Sequence, residues 1–489
     1  MGVAIMFLGI DLGTSSIKAV LADKTGTMVA AERAEYPVYY PQEGWAEQNP
    51  EDWLNGLTHV LYELGKHWDL TLVEGIGFCG QMHGLVLLDE RDKVIRPALL
   101  WNDNRTTEEV SVLNREIGKK RLIERTGNVA LTGFTAPKLL WVRNHEPERF
   151  ARIAKLILPK DYLVYRISGV FASDVTDASG TLMFDTEHRR WSKPMLEFLG
   201  ITEEQLPTAY ESWQPVGTVL PDFAAQFGLN PKAKVIVGGG DQAVGAVGTG
   251  TVKDGQMFLS LGTSGVIFAP SNHFIADSKG RLHSFCHANG KYHMMGCILS
   301  AAAALDWWME AVLGRRDFDT VLTEAGGSEI DDLLFWPYLM GERSPINDPN
   351  ARGVFSGLSL QKGRASMTRA ILEGVAFALR DCYEVMKEQG MTASFARIIG
   401  GGARSPIWIQ ILADVLGLEL RTISTADGGA LGAVMLAMTG CGRFTSVEDA
   451  AQQLVHDKQA YYPDEKRRLQ YEKKFAAYRA NRPVAGQIV

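Results

Sequence analysis

Two stretches roughly half a chain apart carry the same short pattern. Gly9-Ile10-Asp11-Leu12-Gly13-Thr14-Ser15 ends an apolar run in a tight polar turn, and Ser260-Leu261-Gly262-Thr263-Ser264 does so again. In both places a second apolar run follows. An echo at that distance predicts a duplicated α/β domain. The 489 residues suffice for two domains with full cores. The echo puts the boundary near residue 247, giving domains of 1–247 and 248–489. Asp241, just before it, would then lie beside any cleft between the halves, the usual home of small-molecule sites.

Composition removes several classes of function. The hydrophobic content of 46% and charged content of 22% are those of a globular protein. A net charge of -7 leaves no electrostatic footprint for nucleic acid. The run Val3 to Ile10 has no cationic flank and leads straight into Asp11, so it reads as a strand and not a signal peptide. No apolar run approaches the ~20 residues of a membrane span. Five cysteines without a disulfide-like spacing suit a reducing cytosol. The expected location is cytoplasmic, and base rates make a homodimer the default assembly.

Phe7 to Ala34 reads as three antiparallel strands, with Asp23-Lys24-Thr25-Gly26 as the second turn. Asn49-Pro50 predicts a helix start, and Trp53, Leu57, Leu61 and Leu64 recur at helical spacing. Leu72 to Cys79 is a further strand. Helices are predicted near 105–117, 136–144 and 364–390. The strand Ala396 to Ile399 leads into Gly400-Gly401-Gly402 and a helix from Ser405. Asp464 to Ala480 predicts a solvated amphipathic helix.

Four turns could carry chemistry. Backbone N–H groups in a Gly-Thr-Ser turn form an anion nest, to which the hydroxyls add donors. Asp11 could hold Mg²⁺ beside phosphate oxygens, since that ion takes few protein carboxylates. One copy alone is an ordinary hairpin with a capping Asp. Two copies and a third glycine-rich turn at Gly400 point to phosphate. Gly400 to Ser405 could let a flat ring or a phosphate approach the backbone, or could simply be a tight strand-to-helix turn. Asp241 follows three glycines at a strand-to-helix turn. It could accept a proton from a substrate hydroxyl, or N-cap the helix that follows. Gln81 and His83 in Gly80-Gln81-Met82-His83-Gly84 could touch a polyol, or belong to a plain hairpin.

Other patterns mislead. Gly75 to Gly80 matches the dinucleotide G-x-G-x-x-G, but another strand follows it where a helix is required. His283, Cys286, His287, His293 and Cys297 have no standard zinc spacing, and Asn289-Gly290 reads as a hairpin turn among them. No G-x-x-x-x-G-K-[ST] occurs, which excludes a P-loop kinase.

With these pieces placed, nearly the whole chain resembles the FGGY family of carbohydrate kinases. The opening Gly-Ile-Asp-Leu-Gly-Thr-Ser is similar to the family's first phosphate motif. Gly133 to His145 is similar to its first signature, and Gly353-Val354-Phe355-Ser356-Gly357-Leu358 to the start of its second. Gly80 to Gly84 and Leu100-Trp101-Asn102-Asp103 resemble the branch acting on D-xylulose; glycerol kinases carry Arg-Glu at the first of these places.

The resemblance implies two duplicated actin/hexokinase/Hsp70-like, ribonuclease H-like α/β domains with a central cleft. It implies transfer of the ATP γ-phosphoryl group to the 5-hydroxyl of D-xylulose, with ATP and Mg²⁺ as cofactors and a small sugar as partner. Asp241 matches the catalytic base and Asp11 the acid near Mg²⁺. Met82, His83 and Gln242 match substrate contacts, together with Asp241. Gly13, Thr14, Ser15, Gly262, Thr263 and Ser264 match phosphate contacts, and Gly401, Gly402 and Ser405 the adenosine side. The xylulose branch usually carries Asn where Gln242 stands, as glycerol kinases carry Gln. A sister kinase for another ketose or a polyol is therefore the alternative. A nucleotide-binding scaffold would need no base, and a dehydrogenase rests only on the misleading glycines.

Overall fold

The computed structural model describes residues 5–424 and 427–483. Among them the chain forms two compact units. The first takes 5–252, 284–292 and 427–455; the second takes 253–283, 293–424 and 456–483.

In the first unit the sheet runs Pro215–Thr218, Lys234–Ile236, Val73–Gly80, Met6–Leu12, Ser16–Asp23, Met28–Glu35. The last three pair antiparallel, as the sequence predicts, while Val73–Gly80 lies parallel to Met6–Leu12. Phe7, Leu8, Ile10 and Leu12 are all buried, which is why the first strand reads as a near-continuous apolar run. Met28–Glu35 is the edge, and its charged, alternately exposed residues discourage pairing with another chain. Asn49 caps the helix Pro50–Gly65, which buries Trp53, Leu57, Val60, Leu61 and Leu64 on the sheet.

The opposite face is covered by a helix from late in the chain, Gly428–Gly440. The approach is backbone to backbone. A Cβ on Gly77 would lie 2.1 Å from the Ala433 carbonyl oxygen, and one on Gly9 would lie 2.5 Å from that of Ala430. The glycines of the misleading dinucleotide pattern thus make room for a helix.

The second unit repeats the order. Its sheet includes Tyr292–Ile298, Gly265–Ser271, Gln256–Leu261, Phe395–Ile399 and Glu419–Ile423, with Asp457–Tyr461 beyond. Gln256–Leu261 is antiparallel to its successor and parallel to Phe395–Ile399, as Met6–Leu12 is to its own neighbours. Asp11 and Ser260 are each the last residue but one of the first strand. The core forms on the helices Arg364–Glu388 and Pro406–Leu416. The C-terminal helix, Glu465–Ala480, corrects the solvated expectation. Tyr471, Phe475 and Tyr478 are buried in that core, and Lys474 Nζ lies 2.5 Å from Glu373 Oε2. Each aromatic is worth ~2 kcal/mol of burial.

Candidate functional site

The three glycines before Asp241 are each required by a different neighbour. Gly238 has φ +75°, a left-handed conformation. A Cβ on Gly239 would lie 2.8 Å from Thr176 Oγ1, and one on Gly240 would lie 2.7 Å from Met82 Cγ. The turn lies against the strand Val73–Gly80, and Asp241 becomes the first residue of the helix Asp241–Gly248. Gly240, not Asp241, holds the cap position. The Asp241 carboxylate accepts from backbone N–H groups of the first turn, those of Gln242 and of Asp241 itself. The Gln242 amide donates to Asp241 Oδ2 at 3.2 Å.

Asp11 belongs to the same electrostatic group. It is flanked in register by Lys18 and Cys79, and the Cys79 thiol hydrogen-bonds its carboxyl. A Cβ on Gly429 would come within 2.6 Å of Asp11 Oδ2, so the helix Gly428–Gly440 starts directly on this carboxylate. Packing raises Asp11 from 3.8 to about 6, with Asp427 adding to the rise and Lys18 opposing it. Lys18 in turn bonds Asp427. Burial and then the Asp11 charge raise Asp241 from 3.8 to about 7, against the opposing Gln242 bonds. Two neighbouring carboxyls out of water resist ionising together, so each titrates close to neutrality.

Met82 and His83 lie between the strands Val73–Gly80 and Val86–Leu88. Those strands do not pair with each other, so the hairpin alternative is excluded. His83 has φ +67°, an outlier for a residue with a side chain. Its carbonyl is held there by Lys138 Nζ at 2.9 Å and Thr135 Oγ1 at 3.1 Å. Both come from the helix Thr135–His145, which gives the Gly133–His145 motif a physical task. His83 Nδ1 is 2.7 Å from the Gly180 carbonyl. A carbonyl only accepts, so Nδ1 carries a proton.

Within the Gly13-Thr14-Ser15 turn, the Gly13 N–H donates to the Ser16 carbonyl at 3.0 Å. That removes one donor from the expected nest; none of the turn's internal bonds uses the N–H of Thr14 or Ser15. Trp101 Nε1 donates to Thr14 Oγ1 at 3.0 Å. Indole is donor only, so the Thr14 hydroxyl keeps its own proton to give. Gln48 ties this turn to the next: Nε2 donates to the Thr14 carbonyl at 2.6 Å, and Oε1 accepts from Gln81 at 2.9 Å.

In the second unit the Gly262 and Thr263 carbonyls accept from Ala302 at 2.8 Å and Ala301 at 2.9 Å, which anchors that turn. Nearby Gly400 has φ +95°, and a Cβ there would lie 2.5 Å from the Leu261 carbonyl oxygen. Gly402 packs on Leu261 and Trp408, whereas among the described residues a Cβ on Gly401 meets nothing within 4 Å. A cavity of about 330 Å³ opens there, lined by Ile399, Gly400, Gly401, Arg404 and Thr422 among others. Ser405 Oγ accepts from the Trp408 N–H at 3.3 Å as an N-cap, which leaves its own O–H proton to donate.

Sequence reasoning missed a polar group behind the Asp241 turn. Lys160, Asp161, Asp174, Thr176 and Asp177 are all fully buried. Asp177 has no hydrogen bond on either oxygen, and burial holds it well above the carboxylate range. These residues come from three separate elements with no common spacing, so no local pattern announces them. The histidine-cysteine cluster is structural in part: His287 uses Nε2 on the Thr251 carbonyl at 3.1 Å and Nδ1 on the Ala288 N–H at 2.8 Å.

The fold and turns just described are shared with known proteins. The model for the FGGY family of carbohydrate kinases, N-terminal domain, matches residues 6–248, and that for the C-terminal domain matches 257–441. The chain belongs to the FGGY family of carbohydrate kinases. It is 42% identical over 478 residues to the xylulose kinase of Escherichia coli (strain K12), covering 97% of this chain and 98% of that one. The crystal structure of a xyloylose kinase from Brucella ovis superposes with a TM-score of 0.92 at 37% identity, covering 98% of this chain and 99% of that one. Gluconate kinase from Lactobacillus acidophilus gives a TM-score of 0.94 at 26% identity, covering 98% of each chain.

Proposed function

We propose that this carbohydrate kinase transfers the γ-phosphoryl group of ATP to the 5-hydroxyl of D-xylulose. The observation that carries the mechanism is the raised pair Asp11 and Asp241 at adjoining strand ends. Phosphoryl transfer asks for positioning, charge neutralisation and one proton acceptor. Asp241 takes the hydroxyl proton, and its pKa of about 7 suits a base working near neutrality. Gln242 steadies the carboxylate by donating to Oδ2. Met82 packs on the turn, and His83 offers the sugar an imidazole held through Nδ1. Thr14 and Ser15, and in the second unit Gly262, Thr263 and Ser264, supply donors for phosphate oxygens. Gly401 and Gly402 receive the adenosine side, with Ser405 holding the helix start in place.

Among the described residues no group of three His, Cys, Asp or Glu side chains could hold a metal unaided. A single carboxylate such as Asp11 fits Mg²⁺ that arrives with ATP and is completed by phosphate and water oxygens. When bound, that ion would neutralise charge on the transferred group. As functional halves we retain 1–247 for sugar and base and 248–489 for ATP. No disulfide joins the five cysteines, all of them among the described residues, which fits a reducing cytosol. No helix among the described residues is long and apolar enough to cross a membrane.

Coupled ADP release tests the substrate, using D-xylulose, D-ribulose, L-ribulose, L-xylulose, glycerol, gluconate and pentitols. D-xylulose should give the highest kcat/KM by a wide margin. If another sugar wins, the kinase chemistry stands but the pocket beside Gln242 serves a different ketose or polyol, the second reading that Gln242 and the gluconate kinase likeness favour.

A further inference from the structure

We propose that Thr176 is a positioning residue for Asp241, held by a buried ion network that sequence reading did not find. The inference rests on Asp241 being the base. Thr176 lies on the short helix Val175–Ser179, which follows the strand Ala172–Asp174. Its Oγ1 is 2.6 Å from Asp174 Oδ2, and the Gly240 N–H donates to that same Oγ1 at 2.9 Å.

The direction of each bond follows from the groups. A carboxylate only accepts, so the Thr176 O–H donates to Asp174 and its lone pair receives the Gly240 N–H. Gly240 is the residue before Asp241, so this bond fixes the last peptide before the base. Asp174 Oδ2 is itself over-determined. It also accepts from the Thr176 N–H at 2.8 Å and from Ser212 Oγ at 2.9 Å. Its other oxygen is 3.1 Å from Lys160 Nζ, which is 2.6 Å from Asp161 Oδ1. Lys160, Asp161, Asp174 and Thr176 have no exposed surface.

A buried ion pair is a poor device for stability alone. It is an effective device for holding one hydroxyl in one orientation. The same five-residue helix runs into Gly180, whose carbonyl bonds His83 Nδ1 at 2.7 Å. One element thus fixes both the base turn and the imidazole. The space confirms how tight the fit is, since a Cβ on Gly239 would lie 2.8 Å from Thr176 Oγ1 and 3.2 Å from Ser212 Oγ.

The test compares Thr176→Val, Thr176→Ala and Thr176→Ser with Asp241→Asn as control. Valine keeps the shape and removes the hydroxyl, whereas serine keeps the hydroxyl. A displaced base costs up to ~10²-fold. We expect Thr176→Val and Thr176→Ala to lower kcat by ~10- to 10²-fold with KM for ATP unchanged, and serine to restore kcat to within ~3-fold. Wild-type kcat in either folded variant overturns the proposal, as does a loss that serine fails to restore. Should both variants fail to fold, Thr176→Ser carries the test alone, and a loss of ~10-fold or more in it is the contrary result. An Asp241→Asn protein at full activity removes the base assignment itself. An inactive one beside an unaffected Thr176→Val removes only the present inference.

Discussion

Asp241 and Asp11 both sit higher in the folded chain than the ordinary 3.8 of an aspartate. The folded state therefore binds more protons than the unfolded chain between about pH 4 and pH 7. Stability from these groups is present at low pH and falls as pH rises through that window. Asp241→Asn removes a charge that burial and Asp11 oppose. We predict a higher Tm than wild type at pH 8, with the gain vanishing near pH 4; an equal or lower Tm at pH 8 contradicts the raised carboxyl. The same variant should lose ~10²–10⁴-fold in kcat, the usual worth of a positioned base, while still binding ATP. His83→Ala should raise KM for the sugar more than it lowers kcat. An unchanged sugar KM would take the imidazole out of the substrate shell.

At the scale of elements, the glycines of the Gly400–Gly402 turn differ in the room left around them. Gly400 and Gly402 press on Leu261, whereas among the described residues nothing lies within 4 Å of a Cβ on Gly401. Gly401→Val should thus leave Tm within a few degrees of wild type while raising KM for ATP at least ~10-fold, a loss of ~1.4 kcal/mol. An unchanged ATP KM would place the adenosine elsewhere. The strands and their turns were legible in the sequence because each copy is a local pattern of apolar run, turn and apolar run. The helix Gly428–Gly440 was not legible as part of the first unit, because nothing local tells an all-apolar helix which sheet it covers. The C-terminal helix misled for a related reason. Its many charges dominate the composition, while Tyr471, Phe475 and Tyr478, the residues that bury it, are few. The turn that carries Thr14 was legible in the sequence, but the Trp101 bond that orients its hydroxyl joins residues far apart in the chain.

The whole molecule is a duplication with unequal halves. Both units repeat one strand order, yet only the first retains an acid at the end of its first strand, where the second has Ser260. In the proposed mechanism the second unit's turn, with Ser260 in place of a second carboxylate, serves phosphate, and the proton chemistry falls to the first. That division leaves Asp241 as the one proton acceptor. The most direct test is kcat/KM for D-xylulose at saturating Mg²⁺-ATP, followed from pH 5 to pH 9. The account predicts a rise through an apparent pKa near 7, followed by a plateau, with the residual activity of Asp241→Asn showing no such rise. A wild-type profile that is flat across that range, or the same rise in Asp241→Asn, would contradict it.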